Sequence, residues 1–380
     1  MRSPYLLDVS RLIWRRWAGR HPTGIDRVCL AYLDHFAEAA QAVVQYHGFR
    51  RILDRDASAW LFRLVQEPSQ YFRRDLVTGL ARRTLLNNEP GAGRLYLNIG
   101  HTGLHQAGLG EWTRKANVRP IYFVHDLIPI THPQFCRPRE EERHRLRMLT
   151  LLDSAAGVIG NSQATVDDLE QFATAQGRAM PPSIPAWLGV EDTFIQLAAP
   201  APTPAFVALG TIEARKNHML LLNLWSKLLA RSDAVPKLLL IGQRGWECDD
   251  VFERLDKDER LRGHVVELNS CSDAEMARHV ASARALLFPS LAEGFGLPLV
   301  EALAAGTPAI ASDLPVFREI GQGVPELIDP LGISAWEDAV LAYANLENPR
   351  RQAQLDRLCT FKPFRWPDHF AAIGPWLEKL

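Results

Sequence analysis

Cysteine is scarce in this sequence, with five among 380 residues and no C-x-x-C pair. An odd, scattered set of cysteines argues against a disulfide framework and a zinc site, and it fits a reducing cytoplasm. No apolar run approaches the roughly 18 residues that a membrane span needs, and the N-terminal segment lacks the apolar core of a signal peptide. Internal repeats and the patterns of nucleic-acid-binding modules are also missing. We therefore expect a cytoplasmic globular protein with no nucleic-acid partner.

Lysine is nearly missing from the first half, where Lys115 is the one lysine among 24 basic residues at positions 1–190. Against 18 acidic residues this half carries a net charge of +6, whereas the remainder has 19 basic and 26 acidic residues. A basic half indicates an anionic partner, such as a lipid diphosphate or a membrane surface. Arginine and aromatic residues mix at 11–17 and 71–83, which is typical of peripheral contact with the inner face of the cytoplasmic membrane, or of a solvated helix face.

Strand-like and helix-like segments alternate in both halves of the chain, which predicts α/β domains with parallel sheets. In the first half we predict strands at 5–9, 42–46, 94–99, 121–124 and 157–160, and helices at 27–40 and 164–173. A proline- and alanine-rich stretch at 193–204 predicts a linker. A second alternating set begins with a strand at 206–210 and includes helices at 218–230 and 273–282. We predict two doubly wound Rossmann-like domains, at 1–195 and 205–363, facing a central ligand cleft.

Two glutamates eight positions apart form the most informative pattern, within FPSLAEGFGLPLVEALAAG at 288–306. An apolar run at 285–288 predicts a buried strand. Pro298 predicts the start of a helix, because proline at the first helical position loses no needed N–H. Glu293 would then lie in the loop before the helix and Glu301 in its first turn.

This arrangement predicts a site for a nucleotide sugar. Amides at a helix N-terminus suit a phosphate, and the glycines allow the ligand to approach the backbone closely. Carboxylates bind phosphate poorly but accept hydrogen bonds from sugar hydroxyls. The alternative is an ordinary strand–turn–helix with solvated glutamates.

The same segment resembles the E-x7-E signature of family 4 retaining glycosyltransferases, which have the GT-B fold. Within that family it resembles the bacterial mannosyltransferases that build O-antigens, capsules and exopolysaccharides. The resemblance implies that Glu293 contacts the hydroxyls of the donor hexose and that Glu301 contacts the ribose. It also implies that amides of four residues serve the diphosphate and the sugar: Gly294, Phe295, Gly296 and Leu297. In GT-B enzymes a last helix, here at 364–380, packs back on the first domain.

A glycine turn with two cations follows the first strand of the second domain, in GTIEARKN at 210–217. Gly210 frees the turn, and Arg215 and Lys216 make a plausible diphosphate clamp. The segment is similar to the family's G-R-L-x-x-x-K-N element, in which Arg and Lys neutralise the leaving nucleotide. Lys216 matches that lysine, but Thr211 stands where many members have the arginine. Arg215 is the candidate replacement; a solvated loop with a basic pair is the alternative.

Two segments of the first half also resemble family elements. VHDLIP at 124–129 is similar to the H-D element, whose histidine lies beside the donor sugar, so His125 is a candidate for contacting the hexose or the departing phosphate. The loop at 21–27 is similar to the family's glycine loop near donor phosphate and acceptor, through Gly24. His101, after the strand at 94–99, is either an acceptor contact or part of a simple turn.

Together with these residues, the resemblance implies a retaining hexosyltransferase, and we expect its reaction to need no metal and no cofactor beyond the nucleotide sugar. Neither pair of adjacent aspartates has the flanks of a divalent-binding D-x-D motif. We expect GDP-mannose as donor and a glycan or a saccharide linked to a lipid diphosphate as acceptor. A UDP-sugar donor is the first alternative. A phosphorylase or epimerase of the same fold, and a silent nucleotide-sugar-binding partner in an envelope polysaccharide complex, are further ones.

Overall fold

A computed structural model describes residues 4–20, 23–83, 88–195, 205–232 and 234–380. The strands are β1 (Tyr5–Asp8), β2 (Ala40–Tyr46), β3 (Phe49–Ile52), β4 (Leu95–Asn98), β5 (Arg119–Val124), β6 (Gly157–Gly160), β7 (Ser183–Pro185), β8 (Ala205–Leu209), β9 (Lys237–Ile241), β10 (Val265–Leu268), β11 (Leu286–Phe288), β12 (Ala309–Ser312) and β13 (Glu326–Ile328). They form two separate sheets, as the alternating pattern predicts.

Helices connect most of these strands. They are α1 (Ser10–Trp17), α2 (Gly24–Phe36), α3 (Arg55–Gln66), α4 (Phe72–Arg83), α5 (Leu109–Lys115), α6 (Ile128–Thr131), α7 (Glu140–Ser154), α8 (Gln163–Ala175), α9 (Asp192–Ile195), α10 (His218–Leu229), α11 (Asp249–Lys257), α12 (Asp273–Ser282), α13 (Leu297–Ala304), α14 (Pro315–Ile320), α15 (Ile333–Ala344), α16 (Pro349–Leu358) and α17 (Trp366–Lys379). Short 3-10 turns lie at Pro133–Phe135 and Ala214–Lys216.

The first sheet has the order β3-β2-β1-β4-β5-β6-β7. Every pair is parallel except β2 and β3, which are antiparallel and joined by a two-residue turn. Both turn residues, His47 and Gly48, have positive φ, the backbone that a tight hairpin needs. The predicted pattern missed β3, because its sequence, FRRI, has two arginines and little apolar alternation.

The second sheet has the order β10-β9-β8-β11-β12-β13, and all of its strands are parallel. In each sheet the chain builds outward in one direction and then restarts on the other side, between β1 and β4 and between β8 and β11. Ligands of such sheets bind outside the carboxyl ends of the strands at this switch point. The loops that leave β8 and β11 are therefore the first place to look for a site.

The core of the second domain explains why these loops are held firmly. All five residues of β8 and all three of β11 are buried. Large side chains fill the space around them, including Trp225 and Trp336, which are fully buried. Each such burial stabilises the fold by about 2 kcal/mol or more.

Helix α2 begins three residues before the predicted start at Arg27. Asp26 accepts hydrogen bonds from the amide and the hydroxyl of Thr23, each at 2.7 Å, and so satisfies the first turn. The helix ends at Phe36, because β2 already begins at Ala40.

By its internal contacts the chain divides into two compact units. One comprises Met1–Ile130, Glu141–Ala186 and Phe370–Leu380, and the other comprises Thr131–Glu140 and Trp187–His369. Within the first unit, Phe370 packs on Tyr32 and His35, with ring centroids 5.2 and 3.8 Å apart. The predicted linker at 193–204 lies mostly outside the described residues, as do residues 21 and 22 of the predicted glycine loop. The domain boundaries drawn from the sequence stay a prediction.

Candidate active site

The loop after β11 carries Glu293 at the switch point of the second sheet. Ser290 donates a hydrogen bond from its hydroxyl to the Glu293 carboxylate at 2.8 Å. The amide of Leu291 donates to the carbonyl oxygen of Arg215 at 2.7 Å, which ties this loop to the loop after β8. Glu293 is thereby held from two directions, although it belongs to a loop.

The end of that loop requires glycine at position 296. Gly296 has a φ of 105°, and a Cβ there would lie 2.5 Å from the ring of Phe317. That ring is fixed in turn, because it stacks on Phe288 with centroids 5.0 Å apart. Gly296 therefore sets the angle at which α13 leaves the loop.

Helix α13 starts at Leu297, with Pro298 as its second residue. The predicted position of Glu301 in the first turn is wrong: it is the fifth helical residue and lies in the second turn. The reason is that the helix begins one residue before the proline. Glu301 is buried, and so is the ring of Phe295 in the preceding loop, which leaves Phe295 its main chain for binding.

The loop after β8 brings two cations to Glu293. Arg215 contacts one carboxylate oxygen of Glu293 at 2.7 Å, and Lys216 contacts the other. A Cβ at Gly210, whose φ is 117°, would lie 3.6 Å from the Lys216 ammonium, so glycine leaves room beside that charge. The Lys216 ammonium also lies 4.6 Å from the centre of the Phe288 ring.

Glu213 completes this network, and the sequence analysis did not single it out. Its carboxylate contacts Arg215 at 2.6 Å, and Arg215 also donates to the carbonyl oxygen of Ala292 at 3.0 Å. The sequence shows Glu213 as an acidic residue two positions before the cationic pair. That position alone does not distinguish an ion-pair partner from a solvated residue. Ser290, three residues before Glu293, was missed for the same reason.

Burial and charge act in opposite directions on this cluster. Burial raises the pKa of Glu293, but Arg215 and Lys216 outweigh it and bring that pKa to about 2. Burial lowers the pKa of Lys216, although Glu293 opposes this. Burial raises the pKa of Glu213, and the nearby Glu293 charge adds to that, whereas Arg215 opposes it. The site therefore holds two cations, Arg215 and Lys216, whose charges are neutralised by the carboxylates beside them.

The first domain holds the other two candidates. Gly24 is the first residue of α2, next to Asp26, whose buried carboxylate contacts Arg11 at 2.7 Å and Arg15 at 2.8 Å. These contacts explain two of the arginines at 11–17 without a membrane.

His125 follows β5, and its Nε2 lies 2.8 Å from the carbonyl oxygen of Ile99. Burial lowers the pKa of His125 to about 4, so it is neutral near pH 7.

The structure thus brings together Gly210, Arg215, Lys216 and Glu293 in one cluster, with the predicted donor-binding residues 294–297 and Glu301 in the adjoining loop and helix. Gly24 and His125 lie in the other unit. Within the described residues, no group of three or more His, Cys, Asp or Glu side chains is placed to hold a metal ion. Metal-free chemistry stays a prediction.

Residues 190–353 match the family described as glycosyl transferases group 1. Among curated proteins, the serotype-specific mannosyltransferase WbdA of Escherichia coli is 29% identical over 226 residues, which are 55% of this chain and 28% of WbdA. The O-antigen chain mannosyltransferase B of Escherichia coli is 30% identical over 158 residues, 42% of this chain and 41% of that protein. The matched regions thus cover well under half of these relatives' own lengths.

Solved structures share the fold along the whole chain. Anabaena Alr3699/HepE in complex with UDP-glucose has a TM-score of 0.69 at 15% identity, over 99% of both chains. Sucrose-phosphate synthase from Thermosynechococcus elongatus has a TM-score of 0.62 at 17% identity, over 100% of this chain and 99% of that one. The predicted GT-B fold, with two doubly wound domains, is confirmed.

Proposed function

We propose that the chain, whose residues 190–353 match the family of group 1 glycosyl transferases, transfers a hexose from a nucleoside diphosphate sugar to a glycan or lipid-linked saccharide in the synthesis of a bacterial surface polysaccharide. The observation that carries this proposal is the ion-paired cluster of Glu293, Arg215 and Lys216 at the switch point of the second sheet. Its charges suit the diphosphate and the hydroxyls of one ligand.

In the proposed reaction the diphosphate takes over the two cations. Arg215 and Lys216 neutralise the charge that develops on the leaving phosphate as its bond to the sugar C1 breaks. Arg215 would do the work of the arginine missing at Thr211. A new bond from C1 to the acceptor oxygen forms, and the hydroxyl proton passes to a phosphate oxygen on the same face. The configuration at C1 is retained, and no glutamate forms a covalent bond.

The same exchange frees the carboxylate of Glu293 for the donor hexose. Both of its oxygens contact these cations. Once the diphosphate holds those cations, the carboxylate is available to sugar hydroxyls, and His125 contributes a further contact from the first domain. Glu301 serves the ribose, and the main chain at 294–297 and Gly24 serve the diphosphate.

GDP-mannose is the donor that we favour, since the curated relatives include mannosyltransferases of O-antigen synthesis. A UDP-sugar is the second candidate, because the fold is shared with Anabaena Alr3699/HepE, whose structure holds UDP-glucose. The acceptor is a saccharide on a growing chain or on a lipid diphosphate.

A binding panel followed by a transfer assay tests the proposal. GDP, UDP, GDP-mannose and UDP-glucose are titrated by calorimetry, with and without EDTA, and the productive donor is then offered with lipid-linked saccharides. We expect one nucleotide to bind selectively, with the same affinity in the presence and absence of EDTA. Its sugar should be transferred with retention of the configuration at C1. Selective binding without transfer would favour the silent partner, and binding of no nucleotide would overturn the proposal.

Peripheral contact with an anionic membrane is a second part of the proposal. No helix among the described residues is long and apolar enough to cross a membrane. Between α1 and the start of α4 lies an open groove of about 620 Å³, lined by Arg16, Trp17, Arg20, Tyr71 and Arg73 among others. Arg73 lies 5.6 Å from the Trp17 ring. Cations beside aromatic rings suit anionic headgroups.

Vesicle sedimentation tests this contact. The protein should sediment with vesicles rich in phosphatidylglycerol and remain free with phosphatidylcholine alone. Replacing Arg16 and Arg73 together by alanine should weaken binding several-fold, whereas replacing the exposed Arg260 and Arg318 together should not. Equal binding by both double variants would exclude the groove as the contact.

A further inference from the structure

The main chain around His125 is held by three side-chain donors from three other elements. The contacts run from His101 Nε2 to the Phe123 oxygen at 2.7 Å, from Asn161 Nδ2 to the His125 oxygen at 2.7 Å, and from His144 Nε2 to the Asp126 oxygen at 3.1 Å. All of these residues belong to the first unit. The end of β5 and the residues after it are therefore fixed from several directions.

These contacts assign the proton on each imidazole ring. A carbonyl oxygen only accepts, so Nε2 of His101 and of His144 must carry the hydrogen. The same holds for His125, whose Nε2 faces the Ile99 oxygen at 2.8 Å. Arg147, which only donates, lies 3.4 Å from Nδ1 of His144, in agreement with an unprotonated Nδ1 there.

The backbone of His101 has an unfavourable conformation at the position from which its ring contacts the Phe123 oxygen. Its φ is +58°, a left-handed conformation that is uncommon outside glycine and invites a functional reason. Its ring centre lies 5.2 Å from that of His125 and 5.9 Å from that of His144. Burial lowers the pKa of His101, and the neighbouring His125 adds to this, so the ring is neutral near pH 7.

We infer that His101 and His144 are positioning residues for His125: they clamp the main chain on both sides of it, and the Ile99 carbonyl locks its ring as the Nε2–H tautomer. The Nδ1 atom of His125 is then a hydrogen-bond acceptor. An ionised phosphate has no proton to donate, so His125 takes a hexose hydroxyl and not the leaving phosphate. This assignment of the ligand group rests on the proposed function, whereas the clamp does not.

The tautomers are measured first, on the full chain without ligand. Long-range proton–nitrogen spectra of protein labelled with ¹⁵N-histidine distinguish Nε2–H from Nδ1–H, and loss of signals in His101→Gln, His125→Asn and His144→Gln assigns the three rings. We expect all three as Nε2–H at pH 7. A protonated Nδ1 on His125, or a mixture of tautomers, would overturn the inference even if no sugar is transferred.

Activity then tests the clamp. His101→Phe removes the N–H donor but keeps an aromatic ring. We expect His125 in this variant to be a mixture of tautomers. Its kcat should fall at least tenfold, whereas the KM for the donor sugar should change less than twofold. His101→Gln, which retains an N–H donor, should recover part of kcat. The matched control is His47→Phe, since His47 is also left-handed but exposed, and it should change neither quantity.

The variants separate the inference from the proposed function. If the His125 signals and kcat in His101→Phe equal those of the unmodified protein, the clamp is wrong. If His101→Phe changes the His125 signals but no donor sugar is transferred by the unmodified protein, the proposed function fails and the clamp stands. Should His101→Phe not fold, the spectra of the unmodified protein and of His101→Gln decide.

Discussion

The ammonium of Lys216 contacts the carboxylate of Glu293 and also lies over the Phe288 ring, 4.6 Å from its centre. The two charged residues are 77 positions apart in the chain and are both nearly buried. Their pairing is the basis of the first two predictions.

Glu293→Gln leaves the partly exposed Arg215 and the buried Lys216 without their shared carboxylate. We expect the free energy of unfolding to fall by about 3 kcal/mol, since removing one partner of a buried pair strands the other charge. Transfer should fall by about a hundredfold or more. Chemical denaturation and a transfer assay measure both. The control is Glu253→Gln, because Glu253 is mostly exposed in its pair with Lys257, and a similar loss there would argue against a special role for Glu293.

Lys216→Met keeps the apolar stem and removes the charge. Nucleotide affinity should fall roughly ten- to a hundredfold, because a charge-assisted contact to phosphate is worth roughly 1.5–3 kcal/mol. The pKa of Glu293 should rise, because one of the two cations that hold it at about 2 is gone. Calorimetry with the nucleotide tests the first point. Lys257→Met, at an exposed site, should bind as the unmodified protein does, and undiminished binding by Lys216→Met would remove Lys216 from the site.

Gly296→Ala combines a left-handed backbone with a clash against Phe317. The left-handed backbone alone should lower the free energy of unfolding by about 1–2 kcal/mol. The clash with Phe317 should lower it further. The matched control is Gly306→Ala, which follows the same helix with a φ of 79° and has no atom within 4 Å of an added Cβ. Thermal melts should show a clearly larger loss for Gly296→Ala. Equal losses would mean that the Phe317 ring moves aside and that Gly296 does not set the angle of α13.

Stability should fall on acidification from about pH 6.5 to pH 4. Burial lowers the pKa of His125 and of His218 to about 4, so the unfolded chain binds these protons first as the pH falls. Each histidine contributes on the order of 3 kcal/mol, which is present above pH 6.5 and lost toward pH 4. Denaturation at several pH values should show a smaller slope in His218→Leu. An unchanged slope in that variant would contradict the lowered pKa of His218.

Much of the second domain was predictable, because its strands are short apolar runs separated by clear helical segments. The helix predicted at 273–282 agrees with the structure residue for residue. Helix α12 begins there because Ser272 and Glu275 form a capping box, a signal that the sequence shows directly.

The pairing inside the site was less accessible to sequence reasoning. The pattern identified Glu293 and Lys216 separately, but only the fold shows that they contact each other. For Arg11 and Arg15 the error was the opposite one. Their sequence pattern indicated cations at the surface, but both contact the buried Asp26. A charge pattern cannot distinguish these cases, because the partner lies on another element.

The path of the chain between its two units has a consequence for biosynthesis. Residues Phe370–Leu380 belong to the first unit, where Phe370 packs on Tyr32, and a Cβ at Gly157 would lie 2.7 Å from the ring of Trp376. A nascent chain emerges from the ribosome in order, so the first unit lacks these contacts until after residues 187–369 have been translated. The second unit can therefore finish folding first, whereas the first unit gains its last contacts only when residues Phe370–Leu380 have emerged.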